Sequence, residues 1–284
     1  MTMIAHNNGL ATPTEPNEDD AIEAITGRRH ISWSQLSGYR GCPRRWHFSH
    51  VEGVEPSHVS SALLLGSAFH DAVQYHFEQR LIGDAPNHDA LCDVFHQAWD
   101  DQVNDIPIRY SKGEDEASSK ATGVRMLKAF QESELASPPG TIVAVEETFS
   151  GRLHPELPTL TARVDLCYLT DDALTVLDWK TSRSRWPATK VQESADQLVI
   201  YGQLAGELAH DVPVQLSFGV VSKAAKPAVQ KLDVPTESSE RAGAVISQLL
   251  PIYQGMKSGI DYPNPSPMCS GCSYKHRCPA FNHG

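Results

Sequence analysis

Two stretches, Thr159-Leu-Thr-Ala-Arg-Val-Asp165-Leu-Cys-Tyr168 and Ala173-Leu-Thr-Val-Leu-Asp178-Trp-Lys180-Thr181, decide how this chain folds. Both read as β-strands rich in aliphatic and β-branched residues, joined by a turn over Thr170-Asp171-Asp172. Each carries an acid where a core strand should carry an apolar residue. A carboxylate in such a run loses hydration on folding and is retained only where a metal ion or cationic partner replaces the water. Side chains alternate along a strand, so Val176, Asp178 and Lys180 share one face while Leu177 and Trp179 point to the other. A register of a few residues brings Asp165 beside Asp178. Two carboxylates so placed repel unless a divalent ion lies between them, and oxygen ligands suit Mg²⁺ or Mn²⁺. Such an ion polarises a phosphodiester oxygen and lowers the pKa of a bound water, while Lys180 positions that water or stabilises the developing charge. A buried Asp-Lys salt bridge with a second acid at a strand edge gives the same local pattern, and an isolated Asp-x-Lys does not separate the two.

Working outward, the chain is helical before these strands and mixed after them. Ser32-Trp-Ser34 offers caps for a helix through Tyr39, and Pro43 opens another through Trp46 and Phe48. Residues 62–81 carry Leu64, Leu65, Ala68, Phe69, Ala72, Val73 and Phe77 at helical spacing, and helices follow near 89–103 and 117–135. Pro138-Pro139-Gly140 breaks the pattern, and strands are expected over 141–149, 159–169 and 173–180. A helix over 192–208, strands over 214–222 and 228–234, and a helix over 237–256 complete the regular structure. The order gives an α/β or α+β class, a mixed sheet with helices packed against it.

The 284 residues allow one main core with additions. No apolar run is long enough to span a membrane. The first residues are polar and acidic, with no basic start leading into an apolar stretch. They read as a disordered tail of a cytoplasmic protein rather than a signal peptide. A formal charge of −11 argues against a generalised nucleic-acid binder, because phosphate binding draws on concentrated Lys and Arg. Local positive surfaces are available at Arg28-Arg29, Arg40 with Arg44-Arg45, Arg183 with Arg185 and Lys190, Lys223 with Lys226, and Lys275 with Arg277. The chain lacks a Gly-x-x-x-x-Gly-Lys loop, so any unwinding comes from elsewhere.

Other residues carry weaker signals. His70 lies in an apolar helix, where a lone His is commonly a hydrogen-bonded core residue. Glu146 and Glu147 are adjacent and so face opposite sides; one can join the site, and Glu147 is the choice. Gln197 and Tyr201 are four apart and share a helix face. Cys269-Ser-Gly-Cys272 and Cys278-Pro279 form Cys-x2-Cys-x5-Cys, and Cys42-Pro43 stands far upstream. Disulfides are not expected without a secretion signal. Thiolates at this spacing form a metal-binding loop that needs a fourth ligand, from Cys42 or from His276, and four thiolates suit either Zn²⁺ or an iron-sulfur cluster. Cys92 and Cys167 read as ordinary free thiols.

Taken together these segments resemble the PD-(D/E)XK nucleases, in the branch of RecB-type nuclease domains and CRISPR-associated spacer-acquisition exonucleases. Ala162-Arg-Val-Asp165 is similar to that branch's Gly-Arg-Ile-Asp-like segment, with Ala162 departing from the usual Gly, and Asp178-Trp-Lys180-Thr181 to its Asp-Tyr-Lys-Thr-like segment. The resemblance covers about residues 32–279. It implies a restriction-endonuclease-like sheet, with Asp165, Asp178 and His70 as metal ligands and Lys180 as the catalytic lysine. Gln197 and Tyr201 then position substrate or orient that lysine, and Cys42, Cys269, Cys272 and Cys278 hold a [4Fe-4S] cluster of mainly structural role.

The implied organisation is a disordered tail over 1–30 and a single nuclease domain over 31–284. That domain carries a helical insertion at about 82–137 and a cluster module made by Cys42 with 269–278. The implied activity is Mg²⁺- or Mn²⁺-dependent DNA exonuclease action on single-stranded ends. Its setting is recombination, repair, phage DNA metabolism or spacer acquisition, with a helicase or integrase as partner. A non-catalytic DNA-binding or scaffold protein with a structural zinc or iron-sulfur site is the alternative.

Overall fold

A computed structural model describes residues 17–103, 106–235 and 238–281. The elements in chain order are α1 (Glu18–Thr26), β1 (His30–Ser32), α2 (Trp33–Gly41), α3 (Pro43–His50), β2 (Val59–Ser60), α4 (Ser61–Leu81), α5 (His88–Gln102), β3 (Ile108–Arg109) and α6 (Glu116–Gln131). Then come β4 (Thr141–Gly151), β5 (Thr159–Leu169), β6 (Leu174–Ser182), α7 (Ala188–Ala205), β7 (Val214–Ser222), β8 (Val229–Asp233) and α8 (Ser238–Lys257). The architecture is mixed α/β, as the sequence predicts. No helix among the described residues is long and apolar enough to cross a membrane.

The tail expected over 1–30 is corrected in its second half; residues 1–16 lie outside the described residues. The Asn17 side chain accepts from Asp19 and Asp20 backbone N–H groups and Asp20 returns the bond, a capping box that starts α1. Ile22 of this helix is fully buried. The Asp19 carboxylate takes the Thr159 N–H at 2.6 Å and pairs with Arg152 at 2.8 Å. The acids that suggest disorder are thus caps and latches, and one buried isoleucine is too short a signal to show a period.

The sheet is built around β5. β4 runs antiparallel along one whole edge of it, from Thr141↔Leu169 to Gly151↔Leu160. The other edge is shared: β1 pairs in parallel with 159–161, and β6 pairs antiparallel from Leu166↔Leu177 to Leu169↔Leu174. Between these partners β5 and β6 part, one step short of setting Asp165 opposite Asp178. The sheet continues from β6 through parallel β7 to antiparallel β8, with α7 as the crossover between β6 and β7.

Helices cover both faces. α4, α5 and α6 bury Leu64, Phe69, Phe95, Phe130 and their neighbours against Leu166, Leu177, Trp179 and Val221. Trp179 meets Phe130 edge-on at 5.2 Å between centroids. The stretch 82–137 is therefore one wall of the core, not an appendage to it. α7 and α8, with α1 to α3, bury the opposite face, where Val164, Val176, Leu198, Phe218 and Leu249 meet. At roughly 1.5–3 kcal/mol for each fully buried large side chain, both walls matter to stability.

The facing of β4 and β5 inverts partway along. Leu160, Ala162 and Val164 pack toward α7 and α8, yet Leu166 and Tyr168 pack toward α4 to α6 although all five are even-numbered. On β4, Val145 faces α4 to α6 and Phe149 the other side. Glu146 lies at the reversal, with φ of 49°. Left-handed backbone in a strand turns the pleat over and costs a non-glycine residue about 1–3 kcal/mol.

Candidate active site

The break between β5 and β6 is where the charged residues gather. Asp165 fills the gap in the ladder with its own side chain, Oδ2 accepting the Trp179 N–H at 2.6 Å. One strand over, Asp178 is 3% exposed. Its Oδ1 accepts from Gln197 Nε2 at 2.9 Å, and Lys180 Nζ lies 2.6 Å from its Oδ2. That second approach is off the hydrogen-bonding direction, leaving Oδ2 a buried oxygen without a directed donor. A lone pair left open in this way fits a cation.

Lys180 is held from two sides, since its Nζ also donates to Gln197 Oε1 at 3.0 Å. Gln197 in turn donates to Tyr201 Oη at 2.9 Å, one helical turn along α7. The Gln-x-x-x-Tyr pair thus fixes acid and amine together. Burial, reinforced by the charge of Asp178, raises the Tyr201 phenol far above its ordinary range, so it stays protonated.

From the opposite wall α4 delivers His70. Gly66, one turn earlier, lets α4 ride close over the end of β6, where a Cβ would sit 3.2 Å from Thr181 Oγ1. His70 Nδ1 is 3.5 Å from Asp165 Oδ2. Burial pushes the imidazole pKa down, Lys180 adds to this, and Asp178 opposes it. A neutral imidazole keeps a nitrogen lone pair for a metal.

The structure brings Glu146, not Glu147, to this group. One ligand atom from each of His70, Glu146 and Asp165 lies within 4.8 Å of the others. Glu147 is exposed and acts electrostatically on buried Cys167 instead. The cause is a one-residue register shift between Ile142 and Ala144, after which Glu146 comes level with Asp165, together with the pleat reversal at Glu146 itself.

Buried beside Asp165, the Glu146 carboxyl is raised to about 7, with Arg163 at 2.7 Å and His70 opposing the shift. Asp165 is raised well above its usual value by burial first and by Asp178 second. Carboxyls pushed up by burial and mutual repulsion are what a divalent ion relieves. The grouped donors, two carboxylates and one imidazole with Asp178 one strand over, suit Mg²⁺ or Mn²⁺. His70, Glu146, Asp165 and Lys180 line a pocket of about 430 Å³, walled by α4 through Ala62, exposed Leu63, Gly66 and Ser67.

The four cysteines named from the sequence line one separate cavity, together with Arg44, Arg45 and Lys275. The Asn264 and Ser266 N–H groups donate to Cys42 Sγ at 3.5 Å and Cys269 Sγ at 3.3 Å. The loop is tied to the segment before β2 and α4 by Ser57 N–H to the Ser273 carbonyl at 3.0 Å, and to β3 by Arg109 to the Ser270 carbonyl at 2.7 Å. Cys92 and Cys167 lie elsewhere, and burial raises the Cys167 thiol to about 12.

The family model for the PD-(D/E)XK nuclease superfamily matches residues 30–279, and the chain belongs to that superfamily. A crystal structure of a candidate exonuclease from Eubacterium rectale shares the fold at TM-score 0.55 and 13% identity, over 96% of this chain and 94% of that one. A second solved structure, SSO0001, aligns at TM-score 0.35 and 15% identity, over 88% of this chain and 94% of that one. A search of curated proteins returned no match.

Proposed function

We propose that this nuclease is a metal-dependent deoxyribonuclease that removes nucleotides from DNA ends, with single strands as its substrate. The observation that carries the reading is the convergence of His70, Glu146, Asp165 and Lys180 on one open pocket at the break between β5 and β6, with buried Asp178 held against Lys180 behind it. His70, Glu146, Asp165 and Asp178 would hold Mg²⁺ or Mn²⁺, which supplies Lewis acidity to the phosphodiester and to water. Lys180, aimed by Asp178 and Gln197, stabilises the negative charge that develops at the phosphorus-bound oxygens. Gln197 holds that lysine in place, so the cost of ordering a long side chain is met before substrate arrives. The name of the Eubacterium rectale protein and the RecB-type resemblance favour ends over internal sites, and recombination, repair, phage DNA metabolism or spacer acquisition as the setting, beside a helicase or integrase.

End-labelled single-stranded and duplex DNA incubated with each divalent ion tests this directly. Release of labelled nucleotides that vanishes in folded Asp178→Ala and Lys180→Ala is expected. Unchanged digestion by purified Asp178→Ala would falsify the assignment, and a wild type inert with every ion would favour a scaffold.

We further propose that Cys42, Cys269, Cys272 and Cys278 bind a [4Fe-4S] cluster. The four cysteines lining one cavity beside Arg45 and Lys275, and two N–H···S bonds, support a negatively charged metal-thiolate group.

A further inference from the structure

A second cavity opens beside the candidate active site, and its walls are chemically unlike those of the metal pocket. The two share Ala62 in the first turn of α4. Beyond it lies a space of about 320 Å³ lined by Ser61, Ser111, Ser119, Arg183 and Lys223. Strand topology places both cations there. β6 and β7 run parallel and end level, with the Lys223 N–H donating to the Ser182 carbonyl at 2.7 Å. Arg183 and Lys223, each the first residue past its strand, therefore stand together at the carboxyl ends of the strands, where open sheets commonly receive ligands.

Among the described residues neither cation is paired with a carboxylate. Lys223 Nζ donates to the Ala62 carbonyl at 3.0 Å and has no carboxylate ion pair among the described residues. Arg183 is exposed, and among the described residues it makes no hydrogen bond or ion pair. Ser61 and Ser119 are buried residues, and among the described residues their hydroxyls bond to no protein group. Partial burial pushes the Lys223 ammonium pKa down, so an arriving anion would relieve it. Two cations without carboxylate partners, with donor hydroxyls and in a cavity that shares Ala62 with the candidate metal pocket, match a phosphate. Exposed Glu114 on the same wall opposes one.

We propose that this cavity is a second phosphate subsite, which grips a backbone phosphate of the substrate strand beside the scissile one and sets how far the strand enters. The proposal rests on the nuclease reading, and it makes Arg183 and Lys223 positioning residues.

The test measures steady-state cleavage of end-labelled single-stranded oligonucleotides of graded length in Mn²⁺, for wild type, Arg183→Met, Lys223→Met and Glu114→Gln. Lys128→Met, at an exposed cation outside both cavities, serves as control. Removing either cation should raise KM for the longer substrates about 5- to 10-fold while kcat stays within about twofold. The slope of log KM on log salt should fall by about 0.7 per cation removed. Glu114→Gln should lower KM, and the shortest substrates should not respond to any of these changes.

Unaltered KM and salt slope in Arg183→Met, whose side chain holds nothing in the fold, would overturn the proposal, whatever Lys223→Met does to folding. Equal losses on the shortest and longest substrates, or inhibition of both alike by inorganic phosphate, would also overturn it by pointing to a free-anion pocket. Anisotropy of a labelled oligonucleotide in EDTA separates the two levels. A wild type that cleaves nothing refutes the nuclease reading, while the salt slope of binding in wild type and Arg183→Met still decides the subsite.

Discussion

Replacing Glu146 by Gln should flatten the pH dependence of stability in the metal-free protein. The Glu146 carboxyl is raised from an ordinary 4.5 to about 7, by burial first and by Asp165 second, against the pull of Arg163. The folded state therefore holds this proton more tightly than the unfolded state does. The corresponding stability is complete below about pH 4.5 and is lost as pH rises through about 7. A shift of 7 − 4.5, about 2.5 units, corresponds to about 3 kcal/mol at about 1.36 kcal/mol per unit. The open side of the pocket screens the charge and lowers this to about 2 kcal/mol.

Urea unfolding in EDTA at pH 5 and 7.5 reads the effect. About 70% of this is lost between pH 5 and 7.5, so with a slope of about 3 kcal/mol per molar the wild-type midpoint should fall by about 0.5 M relative to that of Glu146→Gln over this interval. Asp165 titrates in both proteins, and because the two carboxyls are coupled the difference reports Glu146 together with its effect on Asp165. Mn²⁺ at about 100 times its Kd should restore about 2.7 kcal/mol to the wild type and less to the variant. Parallel pH profiles for the two proteins would refute the placement of Glu146 against Asp165.

Three further outcomes follow from the geometry. Gln197→Ala frees both Lys180 and Asp178 and should lower kcat about 10- to 100-fold with little change in KM, whereas Tyr201→Phe keeps the Gln197 bonds to both and should cost less than about threefold; rapid-quench assays compare them. Gly219→Ala sets a Cβ 2.5 Å from the Trp179 ring and should cost about 1–3 kcal/mol in urea unfolding, with loss of activity because the Trp179 N–H anchors Asp165. Cys42→Ser should yield a preparation without the brown absorption that dithionite bleaches, and with a lower Tm; a colourless, zinc-loaded wild type would sink the cluster reading.

Much of the site is legible in the sequence because it depends on short-range spacing. Asp178 and Lys180 lie two apart on one strand, Gln197 and Tyr201 four apart on one helix, and those intervals fix a shared face without knowledge of the fold. The main strands and helices fall near their expected spans for the same reason, apolar periodicity being local, though α7 spans Ala188–Ala205 rather than 192–208 and α6 ends at Gln131 rather than 135. Glu146 was out of reach because its place depends on a register shift at the start of β4 and on a positive φ, neither of which alternation encodes. The pairing of β1 with residues 159–161 joins segments far apart in the chain, and nothing in His30-Ile-Ser32 announces it. The cavity holding Arg183 and Lys223 arises from parallel strands ending level. Their cations could be noted in the sequence but not brought together.

The bond from the Trp179 N–H to Asp165 bears on how an inactive form of this protein should be made. Asp165 does double duty, as a charged group and as the substitute for a missing rung between β5 and β6. Its removal would leave a backbone donor stranded at the break and loosen the joint itself. Asp178 takes its bonds only from side chains that can turn elsewhere. A dead protein meant to trap DNA without distortion should therefore be altered at Asp178 and leave Asp165 in place.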